Sequence, residues 1–298
     1  MTIAWVFPGQ GSQKIGMADS VIELPGAKDR FEFASAILGR DLLKICNGLG
    51  TSQKAIQDLN DTRNTQPAMF VVESLLVDDL RSQGRKASLF AGHSLGEIVA
   101  LYAADVLKME TALRLLKCRS ELMAAADDGA MTAVMGFDRN QLEDLVNLHD
   151  GVVIANDNSD SQVVLSGTPQ SIEEITKQLE CKRAIPLQVS GAFHSPLMSK
   201  SSIAFNKELD QVEFQDAIAP VISNSDPKPT INGLLLKERL KKQMTSGVRW
   251  RETMEVMIEE GIDTLVEIGP GKVLSGLAKR SLKGVTTNQI TSASDLGH

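Results

Sequence analysis

One short segment constrains the fold more than any other, the sequence AGHSLGE at residues 91–97. The apolar run from Lys86 to Ala91 predicts a buried strand, and the spacing from Leu95 to Ala104 predicts a helix. Glycines on both sides of Ser94 allow a sharp turn between the two elements, as the G-x-S-x-G pattern requires. Further strands, beginning with Ile3 to Phe7, alternate with helical patterns along the chain. The sequence therefore predicts an α/β protein with a mostly parallel sheet.

Ser94 is a candidate nucleophile because of where this turn places it. At the start of a helix, the helix dipole and the free backbone amide of Leu95 favour a developing negative charge. The simpler interpretation of such a serine is a helix N-cap, and the bare pattern also occurs by chance. The strand, turn and helix context favours the nucleophile.

Only four histidines are available as the base that would take the proton of Ser94. His93 precedes the serine, and adjacent side chains on such a turn point apart. His149 lies in a predicted surface turn, and His298 is the last residue of the sequence. His194 remains, at the point where a second structural unit rejoins the first, and clefts form at such junctions.

That second unit occupies residues 129–191, and its predicted elements follow the βαββαβ order of a ferredoxin-like fold. The elements are strands at Met131–Phe137, Gly151–Ala155, Gln162–Gly167 and Arg183–Val189, with helices at Arg139–Leu148 and Pro169–Leu179. Residues 1–128 and 192–298 are expected to form the main domain, with helices predicted at Arg30–Leu49, Pro67–Arg81 and Glu110–Ala126.

Arg119 is expected on the apolar face of the last of these helices. Its neighbours three and four positions away are all apolar, namely Leu115, Leu116, Leu122 and Met123. Arg114, by contrast, has mostly polar neighbours and is expected in solvent. A buried guanidinium keeps its charge and needs a partner, since burial without one is unfavourable. The simplest partner is a core carboxylate in a structural ion pair.

The composition excludes several classes of function. The net charge is −7 and the basic residues are dispersed, which argues against binding to nucleic acid. The three cysteines, Cys46, Cys118 and Cys181, are too far apart for a zinc site and too few for a disulfide framework. No apolar run approaches the ~18 residues of a membrane span, and the N-terminal segment lacks the features of a signal peptide. We therefore expect a cytoplasmic protein without a metal site.

Four segments resemble, in order and in spacing, those of the malonyl-CoA:acyl carrier protein transacylases. They are FPGQGSQ at residues 7–13, GHSLGE at residues 92–97, GAFHS at residues 191–195 and EIGPG at residues 267–271. The resemblance covers nearly the whole chain. It implies an α/β-hydrolase-like core with an inserted ferredoxin-like subdomain. It also implies transfer of malonyl groups to acyl carrier protein for fatty acid synthesis, through a malonyl-serine intermediate.

The resemblance implies the catalytic roles as well. Ser94 would be the nucleophile and His194 the general base. The backbone carbonyl of Gln243 would orient His194, in place of an acidic residue. The backbone amides of Gln10 and Leu95 would form the oxyanion hole, which accounts for the loop after the first strand.

The substrate-binding residues implied by the resemblance are Arg119, Gln10, Phe193 and His93. Arg119 would hold the free carboxylate of the malonyl group. Phe193 is the aromatic residue typical of members that select malonyl over methylmalonyl groups. The implied reaction needs malonyl-CoA and holo-acyl carrier protein but no metal or bound cofactor, and the family is typically monomeric.

The carrier protein is acidic, so the surface that receives it should be locally basic. The candidates for this surface are Lys182, Arg183, Lys279 and Arg280, although such pairs are usually just solvated. Gly247 stands where many relatives have proline, which predicts a looser loop after Gln243.

Other functions stay open on the sequence alone. A carboxylesterase or thioesterase would use the same turn, but it has no need for an inward-facing Arg119 and usually places an acid on its histidine. A free-standing acyltransferase of a polyketide synthase would have identical chemistry, whereas a non-catalytic carrier-binding module would not need Ser94 and His194. A phosphate-binding loop near residue 10 is disfavoured, because Lys14 stands where the G-x-G-x-x-G pattern needs its third glycine.

Overall fold

The computed structural model describes residues 2–48, 58–127, 129–189 and 191–297, and these residues form two β-sheets. The strands of the first sheet are β1 (Ile3–Phe7), β2 (Leu89–Gly92), β7 (Val221–Ile222), β8 (Thr264–Ile268) and β9 (Thr286–Ile290). They stand in the order β7-β2-β1-β8-β9, and all their pairings are parallel. The accompanying helices are α1 (Ala27–Leu38), α2 (Leu42–Asn47), α3 (Thr62–Ser82), α4 (Leu95–Ala103), α5 (Met109–Ala124), α8 (Ser199–Asp210), α9 (Gly233–Lys242), α10 (Trp250–Glu259) and α11 (Val273–Ser281).

The central strand β1 determines where the site can form. Its apolar sequence suits a strand that is covered on both faces. Trp5 and Phe7 belong to the core on one face of the sheet, and Ala4 and Val6 belong to the core on the other. The register places Phe7 beside Gly92, so the carboxyl ends of β1 and β2 meet at one edge. Ligand sites of open α/β sheets form at this edge, where the turn after β2 lies.

The second sheet is antiparallel and follows the chain order βαββαβ. Its strands, in the order β4-β5-β3-β6, are β4 (Val152–Ser159), β5 (Gln162–Gly167), β3 (Ala130–Phe137) and β6 (Cys181–Pro186), with helices α6 (Arg139–Leu148) and α7 (Pro169–Gln178). One face packs on these helices through Val134, Leu142, Val163 and Ile172. The other face contributes Met131 and Val164 to the main core. The predicted fold class is thereby confirmed.

Several predicted elements differ from the structure in their extent. The helix predicted from Pro67 begins at Thr62, and the strand predicted to end at Ala155 continues to Ser159. The helix predicted from Arg30 to Leu49 is two helices, because Gly39 adopts a left-handed conformation with a φ of 68° and ends α1. Leu49 itself lies outside the described residues. The last strand of the second sheet is β6 at Cys181–Pro186 rather than Arg183–Val189, because its pairing with β3 begins at Cys181.

The loop before α10 joins the two sheets. The amide of Val248 donates to the carbonyl of Ala155 at 2.7 Å, and the carbonyl of Val248 accepts from the amide of Asp157 at 2.9 Å. Gly247 lies so close to β4 that a Cβ would be 2.7 Å from the carbonyl oxygen of Ile154. The prediction of a looser loop is therefore wrong, since glycine here permits close pairing with β4.

Glu73 is a fully buried residue of α3, and neither of its carboxyl oxygens has a hydrogen-bond partner among the described residues. Its side chain packs on Gly269, where a Cβ would lie 2.7 Å from Cγ of Glu73. Burial raises the pKa of Glu73 well above its ordinary value, and the nearby Glu267 carboxylate adds to the effect. Glu267 is itself stabilised by the backbone amides of Leu274 and Ser275. Glu73 therefore stays protonated to a higher pH than an ordinary glutamate.

We expect Glu73→Met to stabilise the protein more at alkaline pH than at acidic pH. The pKa of Glu73 is higher in the folded chain than in the unfolded chain. Below the unfolded-chain pKa, Glu73 is protonated in both states and the free energy of unfolding is not lowered by its ionisation. The free energy of unfolding of the wild-type protein then falls as the pH rises through the folded-chain pKa of Glu73. The free energy of unfolding of the variant, relative to wild type, should rise by about 1–3 kcal/mol between roughly pH 5 and pH 8.5. Urea unfolding at both pH values measures this, and an equal difference at the two would contradict it.

Candidate active site

Ser94 lies on a tight turn between β2 and α4, in a strained backbone conformation. Its φ is 56° and its ψ is −108°, which a residue other than glycine rarely adopts. Close packing requires the glycines on both sides. A Cβ at Gly92 would lie 1.9 Å from the carbonyl oxygen of Gly96, and a Cβ at Gly96 would lie 2.2 Å from that of Phe7. The turn predicted from the G-x-S-x-G pattern is present and packs directly on the end of β1.

Asn224, which follows β7, holds this turn through its side chain. Its Oδ1 accepts a hydrogen bond from the backbone amide of Ser94 at 2.8 Å, and its Nδ2 donates to the carbonyl oxygen of Gly92 at 2.6 Å. Asn224 is buried, so these bonds satisfy a polar group that would otherwise be unpaired. The sequence carries no signal for this residue, since a lone asparagine after a two-residue strand matches no pattern.

His194 is hydrogen-bonded at both ring nitrogens. Its Nε2 lies 2.8 Å from Oγ of Ser94, and its Nδ1 lies 2.9 Å from the backbone carbonyl oxygen of Gln243. A carbonyl oxygen can only accept, so Nδ1 carries the proton and Nε2 can accept the proton of the serine. The structure thus brings Ser94, His194 and Gln243 together. His149 instead contacts the carbonyl of Leu145 in the second unit.

Burial lowers the pKa of His194 to about 3, and the positive charge of Arg119 adds to this effect. His194 is therefore neutral at neutral pH, the form in which it can act as a base. Oγ of Ser94 also accepts a hydrogen bond from Nη2 of Arg119 at 3.0 Å. With that donor on one side of the oxygen, the hydroxyl proton of Ser94 is directed towards His194.

Arg119 is 1 % exposed, and its guanidinium is held mainly by neutral side chains. Its Nη1 donates to Oε1 of Gln66 at 2.6 Å, and its Nη2 and Nε donate to Oε1 of Gln243 at 2.9 and 3.2 Å. Within the described part of the chain it forms no ion pair, so the alternative of a structural pair with a core carboxylate is not found. Burial lowers the pKa of Arg119 to about 10, with Glu97 opposing the shift, so the group is charged at neutral pH.

A pocket opens in front of Ser94 and His194. Its walls include the other residues predicted for the site, namely Gln10, His93, Leu95, Arg119 and Phe193. Both sheets contribute, since Met131 and Asn156 of the second unit line it as well. The amide of Leu95, at the first position of α4, has no partner within the helix and is available to an oxyanion.

The side chains of Gln10 and His93 are fixed by neighbours. Oε1 of Gln10 accepts a hydrogen bond from Oγ1 of Thr62 at 2.8 Å. Nε2 of His93 lies 2.9 Å from Oδ1 of Asn158, and burial lowers the pKa of His93, so this imidazole is neutral. His93 forms part of the pocket wall, and the side chain that is hydrogen-bonded to Oγ of Ser94 is His194.

Glu97 of α4 is 1 % exposed and has a part in the site that the sequence did not reveal. Its Oε2 accepts hydrogen bonds from Nε2 of Gln243 at 2.7 Å and from the amide of Asn224 at 3.2 Å. Burial raises the pKa of Glu97, and these hydrogen bonds and the charge of Arg119 oppose the shift. Both Glu97 and Gln66 are polar residues inside buried helical segments, a signal that could have identified them.

The basic residues predicted for a carrier surface lie outside this pocket. Lys182 and Arg183 are exposed on β6, and Lys279 and Arg280 are exposed at the end of α11. Across the described ranges, no group of three or more His, Cys, Asp or Glu side chains is placed to hold a metal ion. None of the helices described is both long enough and apolar enough to span a membrane.

The arrangement can support transfer of an acyl group that carries a negative charge. Ser94 has a neutral base on its proton, and the start of α4 offers an amide to a developing oxyanion. The guanidinium of Arg119 is close enough to Ser94 to meet a carboxylate on a bound acyl group.

Comparison with known proteins supports this chemistry. The acyl transferase domain matches residues 4–297. A malonyl CoA-acyl carrier protein transacylase of Synechocystis sp. is 47 % identical over 296 residues, which is 99 % of each chain. The crystal structure of a Synechocystis sp. malonyl-CoA:ACP transacylase has a TM-score of 0.95 to this chain, at 47 % identity and 99 % coverage of both. A malonyl-transacylase in complex with a type II polyketide synthase acyl-carrier protein has a TM-score of 0.91, at 33 % identity, covering 99 % of this chain and 98 % of that one.

These similarities extend over nearly the whole chain, including both sheets and the segments that carry the pocket. The chain therefore belongs to the acyl transferase family, among the malonyl-CoA:acyl carrier protein transacylases.

Proposed function

We propose that this chain transfers the malonyl group of malonyl-CoA to the phosphopantetheine thiol of holo-acyl carrier protein. The observation that carries the proposal is the buried guanidinium of Arg119, 3.0 Å from Oγ of Ser94 and held mainly by neutral amides. A malonyl group on Ser94 would bring its free carboxylate to this charge. The similar proteins from Synechocystis sp. are malonyl-CoA:acyl carrier protein transacylases, which supports the same substrate.

In the first half of the reaction, Oγ of Ser94 attacks the thioester carbonyl while Nε2 of His194 takes its proton. The backbone amides of Gln10 and Leu95 stabilise the tetrahedral oxyanion. The carbon–sulfur bond then breaks, and the departing coenzyme A thiolate receives the proton from His194. A malonyl ester of Ser94 remains, with its carboxylate on Arg119 in place of the resting contact between Arg119 and Ser94.

In the second half, the thiol of the carrier protein replaces coenzyme A. His194 accepts the thiol proton, and the thiolate attacks the ester carbonyl in the same oxyanion hole. The ester bond breaks, Ser94 takes the proton back from His194, and malonyl-carrier protein leaves. All proton transfers use groups of this chain, so we expect no bound cofactor.

A serine hydrolase would begin with the same steps, but two features favour transfer to a carrier. Arg119 has no role in a general esterase, and the partner of His194 is the carbonyl of Gln243 rather than an acid. Fatty acid and polyketide carrier proteins present the same thiol, and we propose the fatty acid carrier as the native acceptor. Relative rates with the two carriers test that choice.

We also propose that residues 129–191 are a subdomain inserted in a core of residues 1–128 and 192–298. The separate hydrophobic cluster between the second sheet and its own helices supports this division. Asp128, at one boundary, lies outside the described residues. Three unpaired cysteines support the cytoplasm as the compartment, and we expect a monomer.

We expect Arg119→Met to lose most of the preference for malonyl-CoA over acetyl-CoA. A charge-assisted bidentate contact is worth roughly 1.5–3 kcal/mol, so the preference should fall about ten- to a hundredfold. The measurement is the rate of adduct formation with each thioester, followed by intact-protein mass and a chase with holo-acyl carrier protein. Arg114→Met is the matched control, because Arg114 is an exposed residue of the same helix.

Two results would contradict the proposed function. The first is that the wild-type protein forms no malonyl adduct, or that the Ser94→Ala variant still forms one. The other is loss of the adduct to water at the same rate with and without carrier protein, which would indicate a hydrolase. In either case Arg119 would be a structural charge.

We expect acylation of Ser94 to persist at a pH where an ordinary histidine would already be protonated. Burial and Arg119 lower the pKa of His194 to about 3, and only the neutral imidazole accepts the proton of Ser94. At limiting malonyl-CoA, the acylation rate at about pH 5 should stay within roughly twofold of that at pH 7. With an unperturbed pKa near 6.5, only about 3 % of the imidazole would be neutral at pH 5. Single-turnover acylation measures the profile, and a half-maximal rate near pH 6.5 would contradict the prediction.

We expect the basic residues on β6 and α11 to act only in the second half of the reaction. Reversing the charge of Arg183 or Arg280 to Glu should raise the KM for holo-acyl carrier protein about three- to tenfold and weaken its salt dependence. The rate of acylation by malonyl-CoA should not change. Lys28→Glu, an equal charge change at an exposed position of α1, is the control. Equal effects of all three variants would exclude a local docking surface.

A further inference from the structure

One carboxylate oxygen lies behind the catalytic groups without touching the pocket. Oε2 of Glu97 accepts hydrogen bonds from the side-chain amide of Gln243 at 2.7 Å and from the backbone amide of Asn224 at 3.2 Å. Glu97 lies in the first turn of α4, three residues after Ser94. It is almost fully buried, so its position follows from packing rather than from solvent.

Through Gln243, this oxygen fixes three groups of the site. The Nε2 of Gln243 donates to Glu97 and also to the carbonyl of Ser94 at 2.9 Å, while its Oε1 accepts from Arg119 at 2.9 Å. The backbone carbonyl of the same residue holds His194. Oε2 of Glu97 accepts a hydrogen bond and a guanidinium only donates, so the two groups impose the same orientation on the amide between them.

Through Asn224, the same oxygen supports the turn of the nucleophile. Glu97 binds the backbone amide of Asn224, and the side chain of Asn224 bonds the amide of Ser94 and the carbonyl of Gly92. The strained conformation of Ser94 persists only when its surroundings determine it. Glu97 is therefore connected to the nucleophile, to the support of the base and to the buried cation.

We propose that Glu97 is the positioning residue of this site, acting on Arg119 and His194 through Gln243 and on Ser94 through Asn224. Its role is similar to that of the acid in a catalytic triad, but Glu97 does not contact His194 directly. Gln243 lies between the two residues. Glu97 therefore sets the geometry of the cation as well as that of the base. The inference rests on the proposed malonyl transfer, because its main readout is the preference for an acyl group with a carboxylate.

The test compares Glu97→Gln with Glu73→Gln, which alters an equally buried carboxyl group away from the pocket. In Glu97→Gln, the new amide group faces the N–H donors of Gln243 and Asn224, or it turns to the buried position of Oε1. The acylation rate with malonyl-CoA should fall about tenfold or more, and the malonyl-to-acetyl preference about fivefold or more. Glu73→Gln should change neither by more than about twofold.

The preference separates positioning from a loss of folded protein. A variant that is partly unfolded loses rate with malonyl-CoA and acetyl-CoA in the same proportion, so its preference stays at the wild-type value. We would therefore measure thermal unfolding of both variants. In the same experiment we would measure acylation by both thioesters, at saturating and at limiting concentration. A preference within about twofold of wild type in Glu97→Gln would overturn the proposal.

A double-mutant cycle tests the route through Gln243. Gln243→Met removes the side-chain amide but keeps the backbone carbonyl that binds His194. If Glu97 positions Arg119 through that amide, adding Glu97→Gln to Gln243→Met should change the preference by less than about twofold. A full additional loss in the double variant would show an independent effect and overturn the proposed route. Failure of wild-type protein to form a malonyl adduct would instead refute the proposed function.

Discussion

A positive charge buried beside the nucleophile determines how the rest of the site is built. A carboxylate in direct contact with Arg119 would stabilise the charge, but it would also occupy the donors that an anionic acyl group needs. The chain instead surrounds Arg119 with the amide oxygens of Gln66 and Gln243 and places Glu97 behind Gln243. Neutral acceptors offset the desolvation of the guanidinium and leave its charge uncancelled. The cation is thus stabilised and still able to bind a carboxylate.

The same charge explains why His194 is oriented by a carbonyl group. A carboxylate on Nδ1 would stabilise the imidazolium and raise the pKa of His194, and it would lie close to Arg119 and compete for it. The carbonyl of Gln243 fixes the tautomer without adding a charge. Burial and Arg119 then keep the imidazole neutral, which suits a group that must accept a proton in both halves of the reaction. Gln243 thus binds both groups with different atoms: its backbone carbonyl binds His194, and its side-chain Oε1 binds Arg119.

The parts of this site that follow from local sequence are predictable, and those that follow from tertiary packing are not. The turn at Ser94 is local, because its glycines and the flanking strand and helix are contiguous. His194 follows from the small number of histidines, and burial of Arg119 follows from the spacing of apolar residues around it. Asn224 has no such pattern. The polar Glu97 in an apolar helical segment signals burial of a polar group but not its partners, which for both residues lie over a hundred residues away in the chain. Gln243 was indicated only by resemblance, and the resemblance concerned its backbone rather than its side chain.

The pocket depends on a fixed relation between the two sheets, and backbone pairing supplies it. Met131 and Asn156 of the second unit form one wall, while Ser94 and His194 stand on the other. Hydrogen bonds between β4 and Val248 join the units a few residues from Gln243, the residue that orients the base. The close approach of Gly247 to β4 makes this pairing possible. The segment that positions the base is thus the segment that fixes the opposite wall, so displacement of either unit would disturb both the shape of the pocket and the alignment of His194.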